Sequence, residues 1–324
     1  VLSLPFNGNA FRDAIDEAGA SLRTLLAIPD HYRILFMHGG ATAQLAALPL
    51  NLLRGRSRAC YLDSGYWSGK AIAEARRYCT VDVAGSSVAT GYDRLPVAPT
   101  PHAGAAYCHI VTNETAGGLQ YHAFPDTGDL PLAADMTSDF LTRPLEVRRF
   151  GVIYAGAQKN LGIAGLAVVV VREDLVGAAD PATPSILDYG LQARYGSRCN
   201  TPPTFAICLA GLVFRWVAEQ GGLAAMEAAG RRKSDRVYAA IAASGGFYAC
   251  AVQPASRSRV NPCFRLADEV LTPTFLAAAQ CEGLFHLAGH PSAGGIRASL
   301  YNAMPEAGAE ALAQFMAEFA RRNG

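Results

Sequence analysis

GVIYAGAQKNLGIAGLAVVVVREDL, residues 151–175, is the stretch whose reading sets the fold. A strand-like run (Val152, Ile153, Tyr154, Ala155) closes on small residues. Gln158, Lys159 and Asn160 follow, then a Gly-containing turn and a very apolar strand over 166–171. A lysine between two strands, in a floor of small residues, is well placed to form a Schiff base. That chemistry needs a neutral amine, so the ammonium must be desolvated or sit near another cation. Upstream, LPLAAD (130–135) is another apolar run ending in an acid, 24 residues before the lysine. Pyridoxal phosphate needs that pair: a lysine for its aldehyde and a carboxylate to keep its pyridine nitrogen protonated. A surface lysine after a strand and a helix-capping aspartate fit the same spacing, and residue pattern alone leaves both readings open.

Working outward, apolar strands alternate with helical patterns. Residues 8–27 read as an amphipathic helix, with Phe11, Ile15, Ala18, Leu22 and Leu25 at helical spacing. A short buried strand over 32–37 turns through HGGATAQ into a helix that includes Ala46 and Leu50. Strands over 59–62 and 105–111 and a helix over 69–77 continue the alternation. The expectation is an α/β fold with a mostly parallel central sheet flanked by helices on both faces. Helices are expected over 204–219 and 223–243. After Gly245 and Gly246 the pattern changes to short strands (247–252, 261–266), a helix from Pro273, a Gly-rich strand region and a last helix from Pro305. The chain therefore divides, on this reading, into a large cofactor-binding domain (1–229) and a small α+β C-terminal domain (230–324).

Composition narrows the function classes. With 324 residues, 51% apolar and 17% charged, the chain can bury a large core and is neither disordered nor fibrous. A net charge of +1 gives no reason to expect nucleic acid or an anionic membrane as partner. No apolar run reaches the ~18 residues of a membrane span. The first residues, VLSLPFNGNAF, lack a basic region and a long apolar core, so no signal peptide is expected. Eight cysteines are scattered without a CxxC pair, which argues for reduced thiols in a cytoplasmic protein. His286 and His290 stand four apart, but GLFHLAGHPSAGG breaks the helix that would present both to a metal, so no metal site is expected.

The wording of several segments goes further than spacing. The 151–177 stretch resembles the cofactor-lysine segment of the phosphoserine aminotransferase family, class V aminotransferases of the pyridoxal phosphate fold type I. The resemblance continues in HGGATAQLAALPLNLL (38–53), DSGYWSGKAIAEA (63–75), NETAGG (113–118), AADMTSDFLTRPLEV (133–147), PSILDYG (184–190), NTPPTFAICLAGLVFRWV (200–217) and GGIRASLYNAMP (294–305). It runs nearly end to end. By this resemblance Lys159 carries the cofactor, Asp135 pairs with its pyridine nitrogen, Trp67 stacks on the ring and Thr115 bonds the phenolic oxygen. Ala41, Thr42 and Gln158 are expected at the phosphate. Asn200 and Thr201 match a pair that reaches the neighbouring subunit's phosphate, which implies a homodimer with shared sites. Arg297 matches the arginine that holds the substrate α-carboxylate through a two-pronged contact, and His290 is expected on the substrate side.

What the resemblance implies is an enzyme of serine biosynthesis, exchanging an amino group between O-phosphoserine and 2-oxoglutarate by a ping-pong route. Two departures bear on substrate. The family's Ser-His-Arg falls where this chain reads Pro5, Phe6 and Asn7, and a family His-Arg pair appears as His290 and Pro291. An initial family segment that helps line the substrate pocket has no counterpart ahead of Val1. Two lost charge-assisted contacts are worth roughly two to four decades of affinity. Arg194, Arg257 and Arg259 are candidates to compensate. An aminotransferase for another, unphosphorylated keto acid and a non-catalytic paralogue stay open at this point.

Overall fold

The computed structural model describes residues 5–97 and 103–324. The chain enters through helix α1 (Asn9–Leu25), strand β1 (Tyr32–His38), helix α2 (Gly40–Leu52), strand β2 (Arg58–Asp63), helix α3 (Tyr66–Ala75) and strand β3 (Thr80–Ser86). Strands β4 (Cys108–Val111), β5 (Asn113–Glu114), β6 (Leu119–Gln120), β7 (Leu132–Asp135), β8 (Val152–Gly156) and β9 (Leu166–Arg172) follow. Helices α4 (Tyr189–Arg194), α5 (Thr204–Glu219) and α6 (Gly222–Ala243) lead to β10 (Tyr248–Ala249), β11 (Cys263–Leu266), α7 (Thr272–Cys281), β12 (Ile296–Arg297) and α8 (Glu306–Asn323).

Seven strands form the central sheet in the order β1-β9-β8-β7-β4-β2-β3. Four of its pairings are parallel, and only β9 runs against both its neighbours. The expected mostly parallel sheet is thus present. β8 and β9 form an antiparallel pair, so the lysine loop is the connection between them. Strands β1, β2, β4, β7 and β8 all run the same way. Their carboxyl ends, His38, Asp63, Val111, Asp135 and Gly156, open on one edge of the sheet, where ligands of open α/β sheets bind.

The pleat of β9 explains why both faces are covered. Val168 and Val170 join a core with α1 and α5, including Phe11, Ile15, Leu22, Ile207 and Phe214. Val169 and Val171 point the other way, to Leu48 and Leu52 of α2 and to Ala71 and Ile72 of α3. A strand buried on both sides reads as a continuous apolar run, as AVVVV does. A third core joins Val237 and Ile241 of α6 to β10–β12, α7 and α8. Leu223 and Met226, one end of α6, belong to the first core. The handover between cores therefore occurs within one helix.

Helix α3 begins three residues before the expected 69 because of a distant residue. The carboxylate of Glu114 accepts from the N–H groups of Trp67 (2.9 Å) and Ser68 (2.8 Å), and Ser68 Oγ accepts from the Gly65 N–H (2.9 Å). These bonds satisfy donors that the helix itself leaves free. Strand β3 and helix α4 escape sequence reading for simpler reasons. β3 is a sheet edge without a clean alternation of burial, and α4 is six residues long.

Candidate active site

Lys159 lies in the β8–β9 connection, just past the carboxyl end of β8. Its Nζ donates to Thr115 Oγ1 at 2.8 Å and stands 5.5 Å from the centre of the Trp67 ring. Burial lowers its pKa; the Asp135 carboxylate opposes that shift and the positive Arg297 adds to it. Burial and a nearby cation each favour the neutral amine that a Schiff-base lysine needs.

Asp135 ends β7, paired in register with Tyr154 of β8. It is buried, and its Oδ1 accepts from the Thr137 N–H at 2.8 Å. Burial raises its pKa, against the bonds from Thr137 and the charge on Lys159. The Gly156 N–H in turn donates to Thr137 Oγ1 at 3.1 Å, tying the ends of β7 and β8 together. Behind Asp135, Tyr154 OH meets His109 Nε2 at 2.9 Å, and burial pushes the His109 pKa down to about 3. That imidazole is neutral at physiological pH.

On the substrate side, Arg297 sits in β12 with Nη1 3.4 Å from the carbonyl oxygen of Thr115. His290 packs its ring 4.5 Å from Tyr66 and 6.0 Å from Trp67, and its Nδ1 meets Ser292 Oγ at 2.7 Å. Burial and then the charges on Arg297 and Lys159 lower its pKa. The fold thus brings Trp67, Thr115, Asp135, Lys159, His290 and Arg297 to one place from six separate segments.

Ala41 and Thr42 form the first turn of α2, entered through Gly39 at φ +85° and held to the lysine loop by the Gly39 N–H donating to the Gly165 carbonyl at 3.0 Å. A Cβ on Gly156 would stand 2.6 Å from Gln158 Oε1 and 3.1 Å from the Ala41 nitrogen. Gly156, Gln158 and the start of α2 therefore form one cradle, open because residue 156 has no side chain.

Asn200 and Thr201 are both exposed and meet His38, the residue before Gly39: the Thr201 carbonyl lies at 2.9 Å and Asn200 Nδ2 at 3.4 Å from its Nε2, and the Cys199 thiol meets Asn200 Oδ1 at 3.6 Å. Two of the three arginine candidates are engaged within the chain. Arg257 donates to the Val252 carbonyl at 3.0 Å and covers Tyr238; Arg259 pairs with Glu227 at 3.1 Å; Arg194 is exposed at the end of α4. His286, at φ +61°, is exposed beside Phe285, and no group of metal-ligating side chains occurs among the described residues.

Sequence reading missed Glu114, Thr137, Tyr154 and His109 as supporting residues. Glu114 is the middle of NET, and nothing local marks it as the cap of a helix whose Trp67 lies 47 positions away.

The residues present fit pyridoxal phosphate. Trp67 Nε1 and Arg297 Nε are two of the eight buried side-chain atoms without a hydrogen-bond partner among the described residues, and buried polar groups are nearly always paired. An amine, a buried carboxylate, an aromatic face and a cradle at a helix N-terminus match the aldehyde, the pyridine nitrogen, the ring and the phosphate in turn.

Comparison with known proteins agrees with this chemistry. The family model for class-V aminotransferases matches residues 5–312. A phosphoserine aminotransferase of Laribacter hongkongensis is 48% identical over 326 residues, covering 100% of this chain and 90% of that protein. The solved phosphoserine aminotransferase of Bacillus circulans subsp. alkalophilus is 44% identical and superimposes with a TM-score of 0.97, over 100% of this chain and 90% of that one. The pyridoxal phosphate-bound enzyme of Trichomonas vaginalis is 36% identical with a TM-score of 0.92, over 97% of this chain and 90% of that one. No helix among the described residues is long and apolar enough to cross a membrane.

Proposed function

Because the chain belongs to the phosphoserine aminotransferases of class V, we propose that it transfers an amino group between O-phosphoserine and 2-oxoglutarate, with pyridoxal phosphate as cofactor, in serine biosynthesis. The observation that carries this reading at the level of chemistry is the Lys159–Thr115 contact at 2.8 Å, with Asp135 and Arg297 beside it.

Bound pyridoxal phosphate supplies an aldehyde for the amino nitrogen and a ring that takes up the electron pair left at Cα. Lys159 anchors it and, once released by the incoming amine, takes the Cα proton on Nζ as general base. Burial shifts that nitrogen toward the neutral amine. Asp135 holds a proton at the pyridine nitrogen, and Trp67 covers one face of the ring. The cradle of Ala41, Thr42 and Gln158 receives the phosphate. Arg297 orients the α-carboxylate of amino acid and keto acid alike, and His290 lines the side-group end. The six-segment convergence supports the roles of Trp67, Asp135, Lys159, His290 and Arg297, and the Gly156 cradle that of the phosphate residues.

Asn200 and Thr201, both exposed, are read as contributions to the phosphate site of a second copy, in a homodimer with shared sites. The handover of cores within α6 supports a large unit up to about residue 229 and a small one beyond. The eight cysteines, all free, support a cytoplasmic location.

Mixing the cofactor-loaded enzyme separately with glutamate and with O-phosphoserine, and following the visible absorbance band, tests the reading. Loss of the band with both amino acids is expected. Loss with glutamate alone would overturn the phosphoserine assignment, and a band that neither amino acid alters would overturn transamination.

A further inference from the structure

Helix α6 buries a lysine. Lys233 is 2% exposed, and its ammonium donates to the carbonyls of Leu300 (3.1 Å), Tyr301 (2.7 Å) and Met304 (2.9 Å). An ammonium has three N–H donors, and all three are used on one short segment. A leucine would fill similar space without carrying a buried charge. The carboxylate whose charge bears on it, Glu306, is held by Arg232 at 2.6 Å. The charge is therefore kept for what it binds.

The segment it binds runs from Arg297 to the start of α8. At one end, the Arg297 and Ala298 N–H groups donate to the carbonyls of Leu287 (2.8 Å) and Pro262 (3.0 Å). In its middle, Asn302 donates from its N–H to Asn160 Oδ1 at 3.0 Å and from Nδ2 to the Leu141 carbonyl at 2.8 Å. Asn160 is the neighbour of Lys159 and donates to the Ser138 carbonyl at 2.7 Å. The same stretch thus joins the carboxylate-holding arginine to the lysine loop, and Lys233 is its tie to α6.

We propose that Lys233 is a positioning residue for the active site, whose three carbonyl bonds fix the 297–304 segment and with it the placement of Arg297 relative to Lys159. This rests on the roles given above to Arg297 and Lys159. Loosening the segment weakens the grip on the α-carboxylate of both amino acid and keto acid. Lys159 keeps its own support from β8 and Thr115, so turnover of bound substrate changes less.

Lys233→Met tests this with two readouts. In the cofactor-free protein, amide exchange over 298–304 speeds up about tenfold or more, while the middle of α8 keeps its protection. In the loaded enzyme, KM for glutamate and for 2-oxoglutarate rises about tenfold, while kcat changes less than about threefold. A folded variant with wild-type KM, or faster exchange spread evenly over the chain, overturns the proposal. Should Lys233→Met not fold, Asn302→Ala decides: it keeps the lysine and the backbone bond to Asn160 but cuts the segment's side-chain tie to the Leu141 carbonyl, and an unchanged KM overturns the proposal. A wild-type chain without transaminase activity overturns the proposed function instead, and leaves the exchange measurement to judge the tie.

Discussion

Thr115 is touched by both ends of the site: Lys159 Nζ donates to its hydroxyl at 2.8 Å and Arg297 Nη1 approaches its carbonyl oxygen at 3.4 Å. The amine and the guanidinium come from residues 138 positions apart (297 − 159). One threonine between two strand-like pairs thereby sets the distance between the group proposed to take a proton and the group proposed to hold the substrate's carboxylate.

Lys159→Ala removes the anchoring amine and the general base together. Turnover should fall by roughly three decades or more. The visible band of the loaded enzyme should be absent after dialysis. A variant that keeps the band would place the anchoring nitrogen elsewhere.

Gly156→Ala tests the cradle. The added methyl meets Gln158 Oε1, which can swing away, and the Ala41 backbone nitrogen at 3.1 Å, which must shift by a few tenths of an ångström. Cofactor affinity should fall about tenfold, a loss of about 1.4 kcal/mol, while the cofactor-free fold stays intact. Fluorescence titration with pyridoxal phosphate reads it directly.

The sheet was legible because AVVVV and LAAD are runs too apolar for anything but buried strands, and the lysine loop was legible as the break between two of them. The direction of β9 was not, since a run buried on both faces looks alike in either direction. Arg297 and His290 could be named from the wording of GHPSAGGIRAS, yet nothing in that wording says that His290 packs on Tyr66. Glu114, Thr137 and Asn302 act through contacts that exist only once the chain has folded.

Glu114 has both carboxylate oxygens committed, Oε1 to the Ser68 N–H and Oε2 to the Trp67 N–H. In Glu114→Gln the amide nitrogen must face one of these donors. The loss of one buried acceptor costs about 1–3 kcal/mol, and the first turn of α3 moves with Trp67. A lower melting temperature and a shifted Trp67 emission should appear together. Emission unchanged against a lowered melting temperature would separate Glu114 from the placement of Trp67.

The proposed sharing of sites in a homodimer makes a mixing prediction. Lys159→Ala and the double variant Asn200→Ala/Thr201→Ala should each be nearly inactive. Unfolded and refolded together, they form hybrids in which one site has a native lysine from one chain and a native Asn–Thr pair from the other. Random pairing should restore about a quarter of the activity of a symmetric dimer. Recovery to no more than the sum of the parents would mean that Asn200 and Thr201 serve their own chain.

Lys233 also fixes a pH dependence of stability. Burial lowers its pKa to about 8, below the ~10.4 of an unfolded lysine. Below about pH 8 both states carry the charge, and the folded state bears the cost of burying it. Between about pH 8 and 10.4 the unfolded chain holds the proton more tightly, so stability rises with pH, by on the order of 3 kcal/mol in all. Denaturant unfolding of the wild type and of Lys233→Met across this range isolates the contribution. The difference, wild type minus variant, should climb with pH and level off above about 10.4. A flat difference would mean that the three carbonyl bonds fully offset the burial, and that the ammonium of Lys233 sits in the fold with the affinity for protons it has in water.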